Sequence, residues 1–341
     1  MNNIINRGDN MKIGYALKRV FKMDMGRVFK DVSRVSAKSS KNRVLIFFDM
    51  IGCAMKYGAG PLDYELFEFY NLKAAKRKTF VTRGVNNALV KKYNSKEYWH
   101  IFDNKNEFNE TFSEYIARDW LYTKELEEKD FVSFLTEKSE FIYKPIDGTC
   151  GKGVEKIDLN NPPSENMFEY IKSKPVGIIE EIVKQNSEMS RIYPLSLNTI
   201  RVVTICKDGV VYPLSAFWRI GNSGRFVDNI NSGGMAAMID IKTGEIVSEA
   251  ADKDDNKYTV HPYTNEQILG FKIPMWDKVI ETVSNAAAKL PQIGYVGWDV
   301  AISQNSIQLI EGNCFPGHDI LQLPTYTKNN TGFKPQIEQF I

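Results

Sequence analysis

The sequence predicts an α+β protein with a mainly helical N-terminal region, and three observations carry that prediction. Through the first third, apolar residues recur mostly at steps of three and four, the period of a helix with one buried face. Near residue 140 the texture changes to short β-rich runs bounded by Gly, Pro, Asn and Asp. One helical stretch, 274–289, then separates the last strand candidates, so the later two thirds are mixed.

The elements follow in chain order. Residues 1–43 hold eleven Lys/Arg against three Asp, and Leu17, Phe21, Met25, Val28, Val32 and Val35 mark one apolar helical face. Two readings fit this basic amphipathic extension: a helix lying on an anionic membrane surface, or one docked on its own domain with a solvated basic face. Residues 44–130 read as an N-terminal lobe of helices with short links. In it, 63–70 has an acidic start and a strong apolar face, and 106–116 is similar, with Asn104 or Asn106 as its cap. Strand candidates follow at 141–145, 154–157 and 177–183, within a central lobe of residues 131–190. More come at 199–205, 210–219, 295–302 and 306–311, with a helix opened by Pro274 between them, within a C-terminal lobe of residues 191–341.

Composition narrows the function. With 341 residues, 43% hydrophobic and 25% charged, the chain is long enough for two or three lobes with cores. A net charge of +2 does not point to a nucleic-acid binder. Cys53, Cys150, Cys206 and Cys314 show neither zinc-ligand spacing nor a disulfide framework, which fits a reducing cytosol. The longest aliphatic-aromatic run, 44–48, is far too short to cross a bilayer, and the N-terminus lacks a secretion-signal layout.

Chemistry first shows itself at 144–157, where three glycines and three lysines lie between two strand candidates. The spacing of Gly148 and Gly151 fails the Walker A pattern, and Lys156 stands where a dinucleotide fingerprint needs its third glycine. A glycine-rich hairpin remains, whose backbone N–H groups can converge on phosphate while Lys144 and Lys152 add charge, or which is simply a flexible turn. At the other end, Asp299 interrupts an apolar strand, and Glu311 with Asn313 follows across the turn 303–306. A three-residue loop at 304–306 sets Asp299 opposite Glu311, and a two-residue loop puts them on opposite faces. Paired, the two carboxylates and the amide suit a Mg²⁺ ion.

These pieces, in this order, resemble the ATP-grasp superfamily, and most closely its sugar-transfer-associated branch. The resemblance runs from about Asp49 to Gln322 and rests on 143–145, 148–153, 179–182, 198–201, 227–229, 232–234, 297–300 and 310–317. It implies an ATP-grasp fold, with a small central β lobe and a larger C-terminal α+β lobe enclosing ATP. By the same resemblance, Lys144 and Lys105 hold phosphate, and Gly148, Thr149, Cys150, Gly151, Lys152 and Gly153 form a lid over it. Glu180, Glu181 and Val183 match the hinge beside adenine and ribose, with Glu188 a further ribose candidate. Asp299, Glu311 and Asn313 correspond to ligands of one or two Mg²⁺ ions. Arg201 and Arg219 correspond to arginines serving the transferred phosphoryl and the acyl phosphate. Asp228, Asn229, Gly233, Gly234 and His261 face the acceptor. Cys150 and Cys314 read as small fillers.

The resemblance implies a cytoplasmic carboxylate–amine ligase, free or against the inner face of the membrane, that forms an amide through an acyl phosphate. Its expected substrates are ATP, an amino acid or other amine, and a uronic-acid sugar, nucleotide- or lipid-linked, in capsular or surface polysaccharide assembly. Two other classes stand beside it: a ligase adding an amino acid to a peptide or protein, and a non-catalytic nucleotide-binding scaffold docked at a membrane.

Overall fold

The computed structural model describes residues 25–146 and 152–341. They divide into two compact units, 25–92 with 317–341, and Tyr93–Pro316. The mainly helical start and the sheet-rich remainder agree with the α+β expectation.

The first unit begins with helices α1 (Met25–Ser39), α2 (Arg43–Tyr57) and α3 (Pro61–Leu66), followed by α4 (Ala74–Arg77) and α5 (Arg83–Tyr93). Of the stripe expected from the sequence, helix α1 buries Val28, Val32 and Val35 in a cluster with Ile46, Met50 and Cys53 of α2, while Met25 is exposed. Leu17 and Phe21 of that stripe lie outside the described residues. Asn42 caps α2 by accepting from the Val44 and Leu45 N–H groups, and left-handed Gly58 ends it.

The helix expected over 63–70 stops at Leu66. Its neighbours Phe67 and Phe69 both enter the core against Phe80, at ring-centroid separations of 5.0 and 5.4 Å. Residues two apart point to nearly opposite sides of a helix, so the chain must leave helical geometry, and Glu68 does so with φ +50°. The C-terminal segment is pinned into this unit by Gln322, whose amide both accepts from the Val81 N–H and donates to its carbonyl, each at 2.8 Å.

The second unit carries two antiparallel sheets. The smaller contains β1 (Trp120–Tyr122), β2 (Glu140–Pro145), β3 (Glu155–Asp158) and β4 (Gly177–Glu181), in the order β1-β4-β2-β3. Phe131, Phe134, Phe141, Ile157 and Ile171 form its core. The larger contains β5 (Ile200–Lys207), β6 (Val210–Ile220), β7 (Met235–Ile239), β8 (Ala250–Asp252), β9 (Lys257–Tyr258), β10 (Tyr295–Ile302) and β11 (Ile307–Asn313), ordered β11-β10-β5-β6-β7-β8-β9. Strands β5 and β10 lie inside the sheet and are almost wholly buried, which explains their mainly apolar sequences.

Four strands escape a reading of the sequence. Strands β1, β8 and β9 have only two or three residues, and β7 reads Met-Ala-Ala-Met-Ile, whose alanines carry little β signal. The late helix starts at Trp276 rather than Pro274, because Met275 takes φ +53° and cannot lie inside it. Helix 105–111 is capped by Asn104, whose Oδ1 accepts from the Asn106 and Glu107 N–H groups at 3.0 and 3.3 Å.

Trp298 joins that helix to the large sheet. It is fully buried, its Nε1 donates to Thr204 Oγ1 at 2.9 Å, and Phe112 meets its ring edge-on at 5.3 Å. Trp298→Ala is expected to cost about 3–5 kcal/mol of unfolding free energy. Denaturant titration measures this, and a loss within the error of the wild-type value would contradict the packing described.

Candidate functional site

Register in the large sheet lines up the charged residues of its buried centre. Arg201 on β5 pairs directly with Asp299 on β10, and Asp299 pairs directly with Glu311 on β11. Arg219 on β6 lies two residues beyond Phe217, the partner of Arg201, so its side chain falls on the same face. The Asp299–Glu311 pairing does not arise from the three-residue loop considered above. Ser303 N–H donates to Ser306 O at 2.9 Å, which leaves Gln304 and Asn305 as a two-residue turn. That turn continues as Ile302↔Ile307 and Val300↔Leu309, a register that would place Glu311 on the far face. A bulge then inserts Ile310, and the pairing resumes one residue later as Asp299↔Glu311.

Asp299 is held by both arginines. Arg201 grips it in a fork, through Nε to Oδ1 and Nη2 to Oδ2 at 2.8 Å, and its Nη1 donates to the Pro316 carbonyl at 3.1 Å. Arg219 Nη1 adds a bond to Oδ2 at 2.8 Å. Burial works against the Asp299 charge, but Arg201 and then Arg219 outweigh it and hold its carboxyl well below the usual range. Gly297 makes room for this fork, since a Cβ there would sit 3.1 Å from the Arg201 side chain. Glu311 has the opposite environment: burial, and then the Asp299 charge beside it, push its carboxyl up.

A second buried carboxylate organises the small sheet. Glu180 on β4 is only 3% exposed and is bracketed by two cations, Lys144 on β2 and Arg118 just before β1. Burial opposes its charge, and Arg118 and then Lys144 reverse that, so its carboxyl is lowered. Arg118 also reaches the large sheet, donating to the Leu309 carbonyl at 2.7 Å. One guanidinium thus ties the Lys144 anchor to the strand that bears Glu311. Gly177, beside Pro145 in the β2–β4 ladder, permits the close strand approach, because a Cβ there would lie 2.3 Å from the Lys144 carbonyl oxygen.

Between the sheets lies a cavity of about 430 Å³. Lys105, Lys144, Glu180, Glu181, Val183, Arg219, Asp228, Asn229, Asp299 and Glu311 all line it. Apolar walls come from Ile142, Ile182, Leu197, Phe226, Val227 and Ile310. A cavity that combines these apolar side chains with the cations Lys105, Lys144 and Arg219 suits a flat ring carrying an anionic tail. Lys105 opens its helix at this cavity, with Nζ 3.3 Å from the Ile146 carbonyl. Asp228 is fixed by Thr199, whose N–H and Oγ1 donate to its Oδ2 at 2.8 and 2.5 Å. Burial nonetheless pushes the Asp228 carboxyl up.

Other residues named from the sequence stand apart from the cavity lining. Arg201 lies behind Asp299, and Asn313 beside Glu311, to which its Nδ2 donates at 3.3 Å. Glu188 is exposed in the first turn of helix 187–192. Gly233 and Gly234 close the turn after Asn229, where Gly233 has φ +94°. His261 is fully buried, with Nε2 donating to the Gly221 carbonyl at 2.9 Å and Nδ1 accepting from the Tyr263 N–H at 3.2 Å. Burial lowers its pKa, so its ring is a neutral packing element against Tyr193. Lys152 and Gly153 are described but do not line the cavity, and Gly148, Thr149, Cys150 and Gly151 lie outside the described residues. Burial pushes the Cys314 thiol up to about 12, which removes it as a nucleophile.

Arg118, Thr199 and Gln185 were not singled out in the sequence. An arginine before a three-residue strand carries no local signature, and Thr199 and Gln185 act by holding Asp228 and the Asn198 N–H. Among the described residues no cluster of three or more His, Cys, Asp and Glu side chains stands ready for a metal. The set near Glu311 is instead two carboxylates and one amide. Its hard oxygen donors, and a Glu311 whose charge burial and Asp299 both disfavour, fit a divalent cation that would relieve that repulsion.

A family model described as "Sugar-transfer associated ATP-grasp" matches residues 164–340. No curated protein matches. Among solved structures, ATP-grasp ligase PsnB in complex with minimal precursor, Mg and ADP is similar at 14% identity and TM-score 0.44, covering 78% of this chain and 69% of that one. D-alanine–D-alanine ligase from Bacillus anthracis is similar at 14% identity and TM-score 0.39, covering 75% and 73%. The L-amino acid ligase from Bacillus licheniformis is similar at 12% and 0.38, covering 63% and 40%. The chain spans 56% and 61% of the length of two further PsnB complexes that it matches.

The Glu180 bracket yields a double-mutant prediction. Arg118→Ala should cost about 3–5 kcal/mol, because it leaves a buried carboxylate short of one partner. Adding Glu180→Gln should restore a good part of that loss. Equal destabilisation in the single and double variants, read by denaturant titration, would contradict the bracket.

Proposed function

The chain belongs to the sugar-transfer-associated ATP-grasp family, and on that premise we propose that it is an ATP-dependent carboxylate–amine ligase. The observation that carries this reading is the cavity between the sheets, whose lining brings Lys105, Lys144, Arg219, Asp299 and Glu311 together with apolar side chains. In this assignment the apolar walls take adenine, with Glu181 and Val183 beside it, and the lysines take the phosphates. Glu180 serves through Lys144, as the buried anion that fixes its ammonium. The glycine-rich segment 148–153 would serve as the cover of the phosphates, and Glu188 remains a candidate for ribose.

Glu311, Asn313 and Asp299 would hold Mg²⁺, which when bound neutralises charge on the β- and γ-phosphates. Arg219, already at the cavity wall, would stabilise the phosphoryl in transfer, while Arg201 keeps Asp299 charged and oriented. Asp228 and Asn229 would face the acceptor, with Gly233 and Gly234 shaping the turn behind them. His261 would act on the acceptor side only as packing beneath Gly221.

The reaction assigned to the site has two stages. A substrate carboxylate oxygen attacks the γ-phosphorus of ATP, the bond to the β-phosphate oxygen breaks, and ADP and an acyl phosphate result. An amine then attacks the acyl carbon, loses a proton, and expels phosphate as the amide forms. The cations lower the repulsion between an anionic nucleophile and a polyanion, which is the main electrostatic barrier in the first stage. The proposed acceptor is a uronic-acid sugar and the amine an amino acid, in capsular or surface polysaccharide assembly. A nucleotide-linked sugar would place the enzyme in the cytoplasm, and a lipid-linked one at the inner face of the membrane.

The test is ADP release, screened over uronic-acid nucleotide sugars crossed with amino acids. Turnover is expected only with both partners present. Glu311→Gln should lower it by about a hundredfold or more. The unfolding midpoint should hold, because a neutral side chain of the same shape suits that buried position. Full activity in Glu311→Gln would remove the metal assignment, and turnover with a peptide but no sugar acid would overturn the sugar substrate.

A further inference from the structure

Helix α2 is apolar on two faces, unlike a helix that lies on a domain with a polar outer face. Its inner face buries Ile46, Met50 and Cys53, yet its outer face also carries large apolar residues. Leu45 is 70% exposed, Phe48 64% and Val44 60%, with Met55 following two turns later on the same side. Helix α1 extends this surface: Phe29 is 56% exposed and stacks on Phe47 at 5.7 Å, and Phe47 meets Phe48 at 5.5 Å. Such a contiguous apolar patch on a domain surface marks a contact with something else.

Its charge says what. Residues 25–57 hold seven Lys/Arg and two Asp. Both acids are already committed, Asp31 to Arg34 and Asp49 to Arg77. Lys30, Arg43 and Lys56 have no carboxylate partner among the described residues, and all three are exposed. A second copy of this face would set these cations against one another, whereas an anionic lipid surface supplies both the acyl boundary for the apolar side chains and phosphate for the rim.

We propose that the outer face of the α1–α2 hairpin docks the protein on an anionic membrane, with Leu45, Phe48 and Phe29 entering the headgroup boundary and Lys30, Arg43 and Lys56 meeting lipid phosphate. This moves the membrane contact from the apolar stripe of α1, of which Val28, Val32 and Val35 are spent on the domain core, to residues that the stripe does not include. It extends the membrane-side placement of the proposed function, but it is read without turnover, so its failure and that of the ligase assignment are separable.

The experiment is co-sedimentation of the full chain with vesicles of phosphatidylcholine alone or mixed with phosphatidylglycerol. Binding to the mixed vesicles is expected, weakened by raised salt and by Lys30→Glu with Arg43→Glu. Leu45→Asp or Phe48→Asp should lower it by about tenfold or more. Both side chains are exposed, so thermal unfolding should stay at the wild-type value, which confirms that a loss of binding is not a loss of fold. Absence of binding, or binding unchanged by Leu45→Asp and Phe48→Asp, overturns the proposal. So does a dimer in light scattering that Phe48→Asp dissolves while vesicles capture nothing. Loss of binding with Leu17→Asp and Phe21→Asp alone would assign the contact to the N-terminal segment instead and overturn it as well.

Discussion

The site depends on one ion triad, Asp299 between Arg201 and Arg219. A carboxylate this deeply buried is tolerated only if its charge is matched, and the forked Arg201 contact does that with two parallel bonds. The match has consequences on both sides. It holds Arg219 by one nitrogen against the cavity wall, and it presents a standing negative charge to Glu311 on the next strand. The bulge at Ile310 is what makes that last contact, so a single inserted residue converts a structural ion pair into a candidate ligand pair.

Glu180 repeats the device in the smaller sheet, with the signs of use reversed. There the buried carboxylate fixes cations, Lys144 at the cavity and Arg118 behind it. Arg118 then reaches the carbonyls of Leu309 and, at 3.4 Å, Ile310. The two anchors are therefore coupled through one strand: the guanidinium that neutralises Glu180 also fixes the backbone of the bulge that orients Glu311. Removal of either charged partner should disturb both Lys144 and Glu311, a coupling that double-mutant cycles are suited to resolve.

Much of this was legible in the sequence, for reasons specific to each part. Strands β5 and β10 announce themselves as mainly apolar runs, and a charged residue inside such a run, Arg201 or Asp299, is conspicuous because burial makes it costly. The Lys144 strand follows from a β-rich run bounded by turn residues, and the buried valines of α1 follow from helical periodicity. The register of the β10–β11 hairpin was not legible, since the turn alone predicts the wrong face and the bulge leaves no mark in residue type. Arg118 was missed because its partners are distant in sequence. The side chain of Glu180, assigned from the sequence to a nucleotide hinge, is occupied by Lys144 and Arg118, a contact that strand pairing rather than composition creates.

The cavity between the sheets is proposed to bind a nucleotide polyphosphate with the help of a cation held at Glu311. Calorimetric titration of ATP into the wild-type protein and Glu311→Gln, each with and without Mg²⁺, tests it most directly. Mg²⁺ is expected to strengthen ATP binding in the wild type, and Glu311→Gln to lose this gain while keeping the Mg²⁺-independent part. Binding that is indifferent to Mg²⁺ in both proteins, or no ATP binding at all, would contradict it.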